Sequence, residues 1–230
     1  MPFRALLKGN AKAAIKNAKA ARDKEGIGIV INRVNGWLRK VPAWIIYIVG
    51  AAYAVWLFYL GLTGGLGPEP INALEREYGA LALKLLIAGL AVTPLRKYAG
   101  LNLLKFRRAI GVTSFFYVLA HLLVWAVLDV GTFERIWTEI VKRPYVTVGM
   151  ASFLMLLPLA ITSNNLSVRK MGAAAWRKLH MLTYPALILG GIHFLWLVKG
   201  FPLEPLIYLA VIAALLATRI KFKARVAKQA

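Results

Sequence analysis

The sequence predicts an all-α integral membrane protein: a six-helix transmembrane bundle with both termini cytoplasmic. Three observations predict it. Hydrophobic residues make up 60% of the 230 residues and mean hydropathy is +0.63, more apolar side chain than a soluble core of this size can bury. The apolar residues fall in six runs, each near the ~20 residues a helix needs to cross a ~30 Å hydrocarbon core. The runs show no period-two alternation, and in lipid every backbone polar group must be satisfied within its own segment, which leaves helices.

The six runs lie at approximately 42–62, 78–95, 110–129, 145–162, 176–198 and 203–218, and the breaks between them carry Gly, Pro and charge. The first run begins after a long basic arm and lacks a small-residue cleavage site, so it reads as a span and not as a secretory signal. Basic residues set the direction. With the N-terminus inside, the inner segments hold 24 Lys and Arg: 10 in residues 1–42, 5 in 96–108, 4 in 169–178 and 5 in 219–228. The outer segments hold 5, and Lys84 lies within a span. Positive charge is retained on the cytoplasmic side, so this asymmetry predicts cytoplasmic termini. With the six runs, it predicts a multi-pass membrane protein.

The net charge of +21 does not read as nucleic-acid binding. The cations sit between and beyond apolar runs, which suits attraction to anionic lipid. In residues 1–24, Phe3, Leu6, Leu7 and Ile15 alternate with lysines, a pattern that fits a helix on a membrane surface or a basic tail. Phe133, Ile136, Trp137, Ile140 and Val141 recur at helical spacing and predict a short amphipathic helix on the outer interface. The sequence has no cysteine, which excludes disulfides, thiolate metal sites, iron–sulfur clusters and covalent c-type haem.

All three histidines, His121, His180 and His193, fall within predicted spans, where an ionisable group is costly and marks a functional site or a helix-packing bond. His121 lies 13 residues past Arg108 and 8 before Asp129, and His193 lies 6 before Lys199. Both therefore sit in the outer half of their spans, while His180 sits roughly 20 Å lower. Zinc would need three or four ligands at one depth, and no acidic residue is expected at the depth of this pair. Two imidazoles facing each other across one b-type haem leave no open position on iron, which favours electron transfer. His180 would then serve a second, inner haem.

Arg107, 14 residues before His121, shares its face and reads as a clamp for haem propionates or lipid phosphate, or as an iron ligand. His180 and His193 do not share a face on a straight helix, and Pro185 between them supplies a kink. Lys84 either snorkels to the outer interface or contacts a propionate. Trp125 and Phe194 either pack on the porphyrin or in the core. Pro94 and Pro158 are expected to break spans two and four near their inner ends.

Several stretches carry a family resemblance: Thr93-Pro94-Leu95-Arg96, Arg107-Arg108, Ala120-His121-Leu122, Arg143-Pro144-Tyr145, Pro158 to Ser163, Trp176 to His180, and Ile192-His193-Phe194-Leu195-Trp196. In this order they resemble the haem-binding membrane subunit of the periplasmic protein-methionine-sulfoxide reductase system, the MsrQ (YedZ) family of the ferric-reductase-like transmembrane group. The resemblance covers about 42–200 and implies an electron-transfer subunit, not the catalytic one. Electrons would pass from quinol through b haem to a periplasmic molybdopterin-containing reductase that repairs methionine sulfoxide. The family is also described as binding FMN, for which no residues here mark a site. The domains then read as a basic cytoplasmic extension that fits an interfacial helix (1–41), a six-span haem-binding transmembrane domain (42–218) and a basic cytoplasmic tail (219–230). No G-x-G-x-x-G follows a strand, so no fused dinucleotide domain is expected. Two alternatives stand beside this reading: a ferric or cupric reductase fed by a cytosolic flavoprotein, and a non-redox transporter or scaffold with structural histidines.

Overall fold

The structure, a computed structural model, describes residues 26–197 and 203–219. The surface helix or basic tail read for residues 1–24, and the basic tail beyond 219, lie outside the described residues. Among the described residues every regular element is helical. Helix α1 covers residues 26–40 and stops before Val41-Pro42, because the residue preceding proline is pushed out of the helical region. Then follow α2 (Ile45–Leu62), α3 (Pro70–Tyr98) and α4 (Arg107–Leu123), which runs on as a π-helix over Val124–Val130. Next come α5 (Phe133–Lys142), α6 (Pro144–Ile161), the short α7 (Asn165–Met171) and α8 (Ala173–Leu179), α9 (Thr183–Leu197) and α10 (Leu203–Ala217).

Five stretches are long and apolar enough to cross a membrane: Ile45–Leu62, Pro70–Tyr98, Leu104–Val130, Pro144–Ile161 and Ala173–Leu197. Helix α10 is apolar but has 15 residues. The expected runs and the helices agree to within a few residues, except that α3 begins at Pro70 and not near 78. Proline suits a first helical position, and the Glu75-Arg76-Glu77 cluster continues the helix beyond the apolar run. The expected outer amphipathic helix is α5. Its Phe133, Trp137 and Val141 are exposed.

The bundle is built from two closely packed pairs, α3 with α4 and α6 with α9. One core joins Leu83, Leu86 and Leu90 of α3 to Leu156, Leu159, Ala186, Leu187 and Ile212. A second joins Leu57 of α2 to Leu74, Tyr78, Ala82, Tyr117 and Val124. Four polar side chains in these contacts close on main-chain carbonyls, which suits a hydrocarbon surround. Tyr78 Oη donates to Ala54 O and Tyr117 Oη to Gly50 O, each at 2.7 Å, which ties α2 to the bundle. Ser114 Oγ donates to Ala82 O and Ser152 Oγ to Ala186 O, each at 2.8 Å.

The two prolines do not break their spans: α3 continues through Pro94 to Tyr98, and α6 through Pro158 to Ile161. For Pro94 the reason is a substitute donor. Proline has no N–H, so the carbonyl four residues earlier, Leu90 O, loses its helical partner. Arg219, just past α10, donates to it through Nη2 at 2.7 Å. Span five is the one that breaks. A 3₁₀ turn over His180–Leu182 separates α8 from α9, directly before Pro185 in the first turn of α9.

Arg219→Ala should leave Leu90 O unpaired and lower stability by about 1–3 kcal/mol. In a Pro94→Ala background, the backbone N–H restored at position 94 can reach Leu90 O, and the same change should cost clearly less. Unfolding midpoints of the four proteins in mixed detergent form the double-mutant cycle; equal losses in both backgrounds would refute the pairing.

Candidate functional site

His121 on α4 and His193 on α9 face each other, with ring centroids 6.2 Å apart and planes inclined at 76°. Each is held by the same device on the neighbouring helix. His121 Nδ1 lies 2.9 Å from Glu75 O, and His193 Nδ1 lies 2.7 Å from Tyr145 O. A carbonyl only accepts, so both imidazoles carry their proton on Nδ1 and present a bare Nε2.

The approach depends on glycine. A Cβ at Gly79 would stand 3.1 Å from His121 Nδ1, and one at Gly149 would stand 2.8 Å from His193 Nδ1. Each glycine lies four residues after the accepting carbonyl, one turn along the same helix. Its missing side chain opens the groove through which the ring reaches that carbonyl. Ring, glycine and carbonyl therefore recur as one unit in α3–α4 and again in α6–α9.

The pair opens into a cavity of about 300 Å³. Trp125 and Phe194, singled out from the sequence, line it, with Leu83, Leu86, Phe153 and Leu156 on its apolar side. Asn72, Glu75, Arg76, Asp129 and Arg143 line its polar side. The expectation of no acid at this depth is therefore corrected. The extra length of α3 brings Glu75 in, and the wide turns of the π-helix that follows His121 bring Asp129 in. Arg143 is held by Glu139 at 2.6 Å and donates to Tyr145 Oη at 3.0 Å. That bond raises its pKa further above its ordinary value.

Lys84 lines neither of the two cavities described here. It is exposed on α3 and acts on the hydroxyl of Tyr208, which donates to Glu204 at 3.0 Å. The structure thus does not bring Lys84 into the wall of either cavity.

A second cavity, of about 730 Å³, contains His180 and Arg107 as expected. Leu86 and Leu156 belong to the walls of both cavities. The inner one is also lined by Arg108, Arg177, Lys178 and Arg219, with no acidic side chain in its lining among the described residues. His180 is oriented differently from the other two histidines. Its Nε2 lies 3.1 Å from Thr162 Oγ1, and its ring stacks on Trp176 at 3.8 Å between centroids. Arg107 and Arg108 are close enough to act on it electrostatically.

The sequence reading missed Glu75, Gly79, Tyr145 and Gly149. A small residue one turn after a carbonyl, on a span beside a histidine-bearing span, was the available signal.

The geometry can be set beside known proteins. Residues 78–191 match the family described as ferric reductase like transmembrane component. The chain is 48% identical over 178 residues to the protein-methionine-sulfoxide reductase heme-binding subunit MsrQ of Brucella ovis, covering 77% of this chain and 80% of the relative. The MsrQ of Brucella anthropi is 47% identical and that of Brucella melitensis biotype 2 is 48% identical, over the same shares. No solved structure matches the chain. At this identity over most of both lengths, the chain belongs to the MsrQ family of membrane subunits, within the ferric-reductase-like transmembrane group.

Proposed function

We propose that this chain is a six-span electron-transfer subunit of the bacterial inner membrane that holds b-type haem between His121 and His193. It passes electrons from quinol to a periplasmic, molybdopterin-containing methionine-sulfoxide reductase. The observation that carries this reading is the close pair of imidazoles, each with Nδ1 on a main-chain carbonyl and Nε2 without a hydrogen-bond partner. A metal atom held between two imidazole nitrogens, at ~2 Å from each, sets the ring centres about 6 Å apart, and these lie at 6.2 Å. Among the described residues no three His, Asp or Glu side chains gather around a metal. The pair therefore suits a metal whose remaining ligands come with it, as the porphyrin's do.

The protein's part is positional and electrostatic. Glu75 O and Tyr145 O fix the tautomer and orientation of the imidazoles and raise their basicity as ligands. Trp125, Phe194 and the leucines give the ring an apolar bed. Arg76 and Arg143 stand at the polar side to meet the two carboxylates, and Arg is well suited to that. Haem held there by His121 and His193 would supply one-electron redox chemistry. The substrate chemistry then belongs to the partner, and the exposed Phe133-Trp137-Val141 stripe of α5 is its docking surface.

The inner cavity is cationic and suits an anionic redox group. Two such groups compete. A second haem would take His180 as ligand and needs Thr162 to release Nε2, with Arg107 on its carboxylates or its iron. FMN would use the arginines for its phosphate and leave the His180–Thr162 bond in place. The family match also favours a second reading, a ferric or cupric reductase fed by a cytosolic flavoprotein. Reduction of the purified chain by a quinol analogue without NAD(P)H separates that reading from the first.

His121→Ala and His193→Ala should each abolish the low-spin bis-imidazole spectrum of the outer haem. Full haem content with an unchanged spectrum in both would overturn the assignment. Gly149→Ala should displace His193 and lower haem retention, whereas Gly36→Ala, whose Cβ meets no atom within 4 Å, should be neutral. For the inner cavity, Thr162→Val should leave a His180-ligated haem unchanged or tighter. It should weaken a flavin site that relies on the fixed imidazole. Haem and flavin stoichiometry per chain reads the difference.

A further inference from the structure

Helix α1, residues 26–40, falls outside the haem site, within the basic extension (1–41) for which an interfacial helix was one of the readings. One face of it is pinned to the loop between α3 and α4. Asn35 Nδ2 donates to Gly100 O, and Asn102 N donates to Asn35 Oδ1, both at 2.9 Å. Lys105 Nζ donates to Arg39 O at 2.8 Å. Ile31 closes the contact over Gly100, where a Cβ would stand 3.3 Å from Ile31 Cγ2 and where φ is +71°.

The adjoining face is bare. Ile27, Val30, Val34 and Trp37 recur at i, i+3, i+7 and i+10 and are 39% to 65% exposed. Arg33, Arg39 and Lys40 lie on the remaining edge, together with Ile29. Residues 26–68 and 96–108 contain no Asp or Glu, while the second stretch adds Arg96, Lys97, Lys105, Arg107 and Arg108. Across Val41-Pro42 the bare stripe continues into α2, where Leu57 alone is buried and Trp44, Tyr47, Ile48 and Val49 are exposed.

We propose that α1 is an interfacial helix whose Ile27-Val30-Val34-Trp37 stripe lies in the membrane surface, with its basic edge on anionic lipid headgroups. Three features select a lipid leaflet over a protein partner: the stripe leads along the chain into the exposed apolar residues of α2, the charge around it is predominantly positive, with Asp23 and Glu25 just before it as the acidic exceptions, and an aromatic side chain stands at its end. The clasp of Asn35 then couples that surface to the loop leading into Arg107 and Arg108. Anionic lipid thereby steadies the entrance of the inner cavity, whichever cofactor that cavity holds.

The chain has no cysteine, so single labels report cleanly. Spin labels at Val30→Cys, Val34→Cys and Trp37→Cys should be reached by oxygen and shielded from a water-soluble nickel chelate in nanodiscs of phosphatidylcholine with phosphatidylglycerol. A label at Asn32→Cys should show the reverse. Replacing phosphatidylglycerol with phosphatidylcholine, or combining Arg33→Gln with Lys40→Gln, should raise nickel access along the stripe. Nickel access at the stripe equal to that at position 32 overturns the proposal. So does shielding from both reagents, which means a protein covers the stripe. Lipid burial that ignores phosphatidylglycerol overturns the anionic part.

Discussion

The imidazole-to-carbonyl bond across a glycine is the contact on which the rest of this structure depends. A histidine in hydrocarbon needs a partner for its N–H, and both His121 and His193 find one in a carbonyl already used by its own helix. Only a missing side chain at Gly79 and Gly149 lets the ring come that close. The same bond sets how tightly α3 packs on α4 and α6 on α9, which proton each ring keeps, and where each Nε2 points. The cavity between the two pairs follows from these choices, since two rings so anchored hold their helices at a fixed separation.

Elsewhere the bundle solves the same shortage of partners with whichever donor is nearest. The tyrosines at 78 and 117 reach carbonyls of α2, and serines 114 and 152 reach carbonyls across the two helix pairs. Arg219 replaces the donor that Pro94 lacks. Each bond is modest alone, but in lipid the alternative is an unpaired polar group, so together they specify one arrangement of helices.

The apolar runs were legible because a membrane span is a length-and-composition signal that tertiary context rarely overrides. The depth argument placed His121 with His193, and His180 with Arg107, because rise per residue converts sequence separation into height. Helix α1 was legible only as one reading of the basic extension, without bounds: Gly26, Gly28 and Gly36 with a run of Ile and Val are weak helix formers, and the contacts through Asn35 that hold it are not visible in the sequence. Nor could spacing reveal that His180 offers Nε2 to Thr162, since a 3₁₀ turn resets the phase of the span just there. Lys84 looked like a site residue by depth, but depth does not say which way a helix turns it.

Leu86 and Leu156 stand in the walls of both chambers. Two buried leucines make a septum of hydrocarbon, and hydrocarbon refuses hydrated ions and protons. Under the proposed function, an electron handed between the chambers would cross where no cation can follow. The partition would thus act as an insulator for the membrane's ion gradients while remaining a conductor for redox traffic, and a polar residue at either position would turn it into a leak.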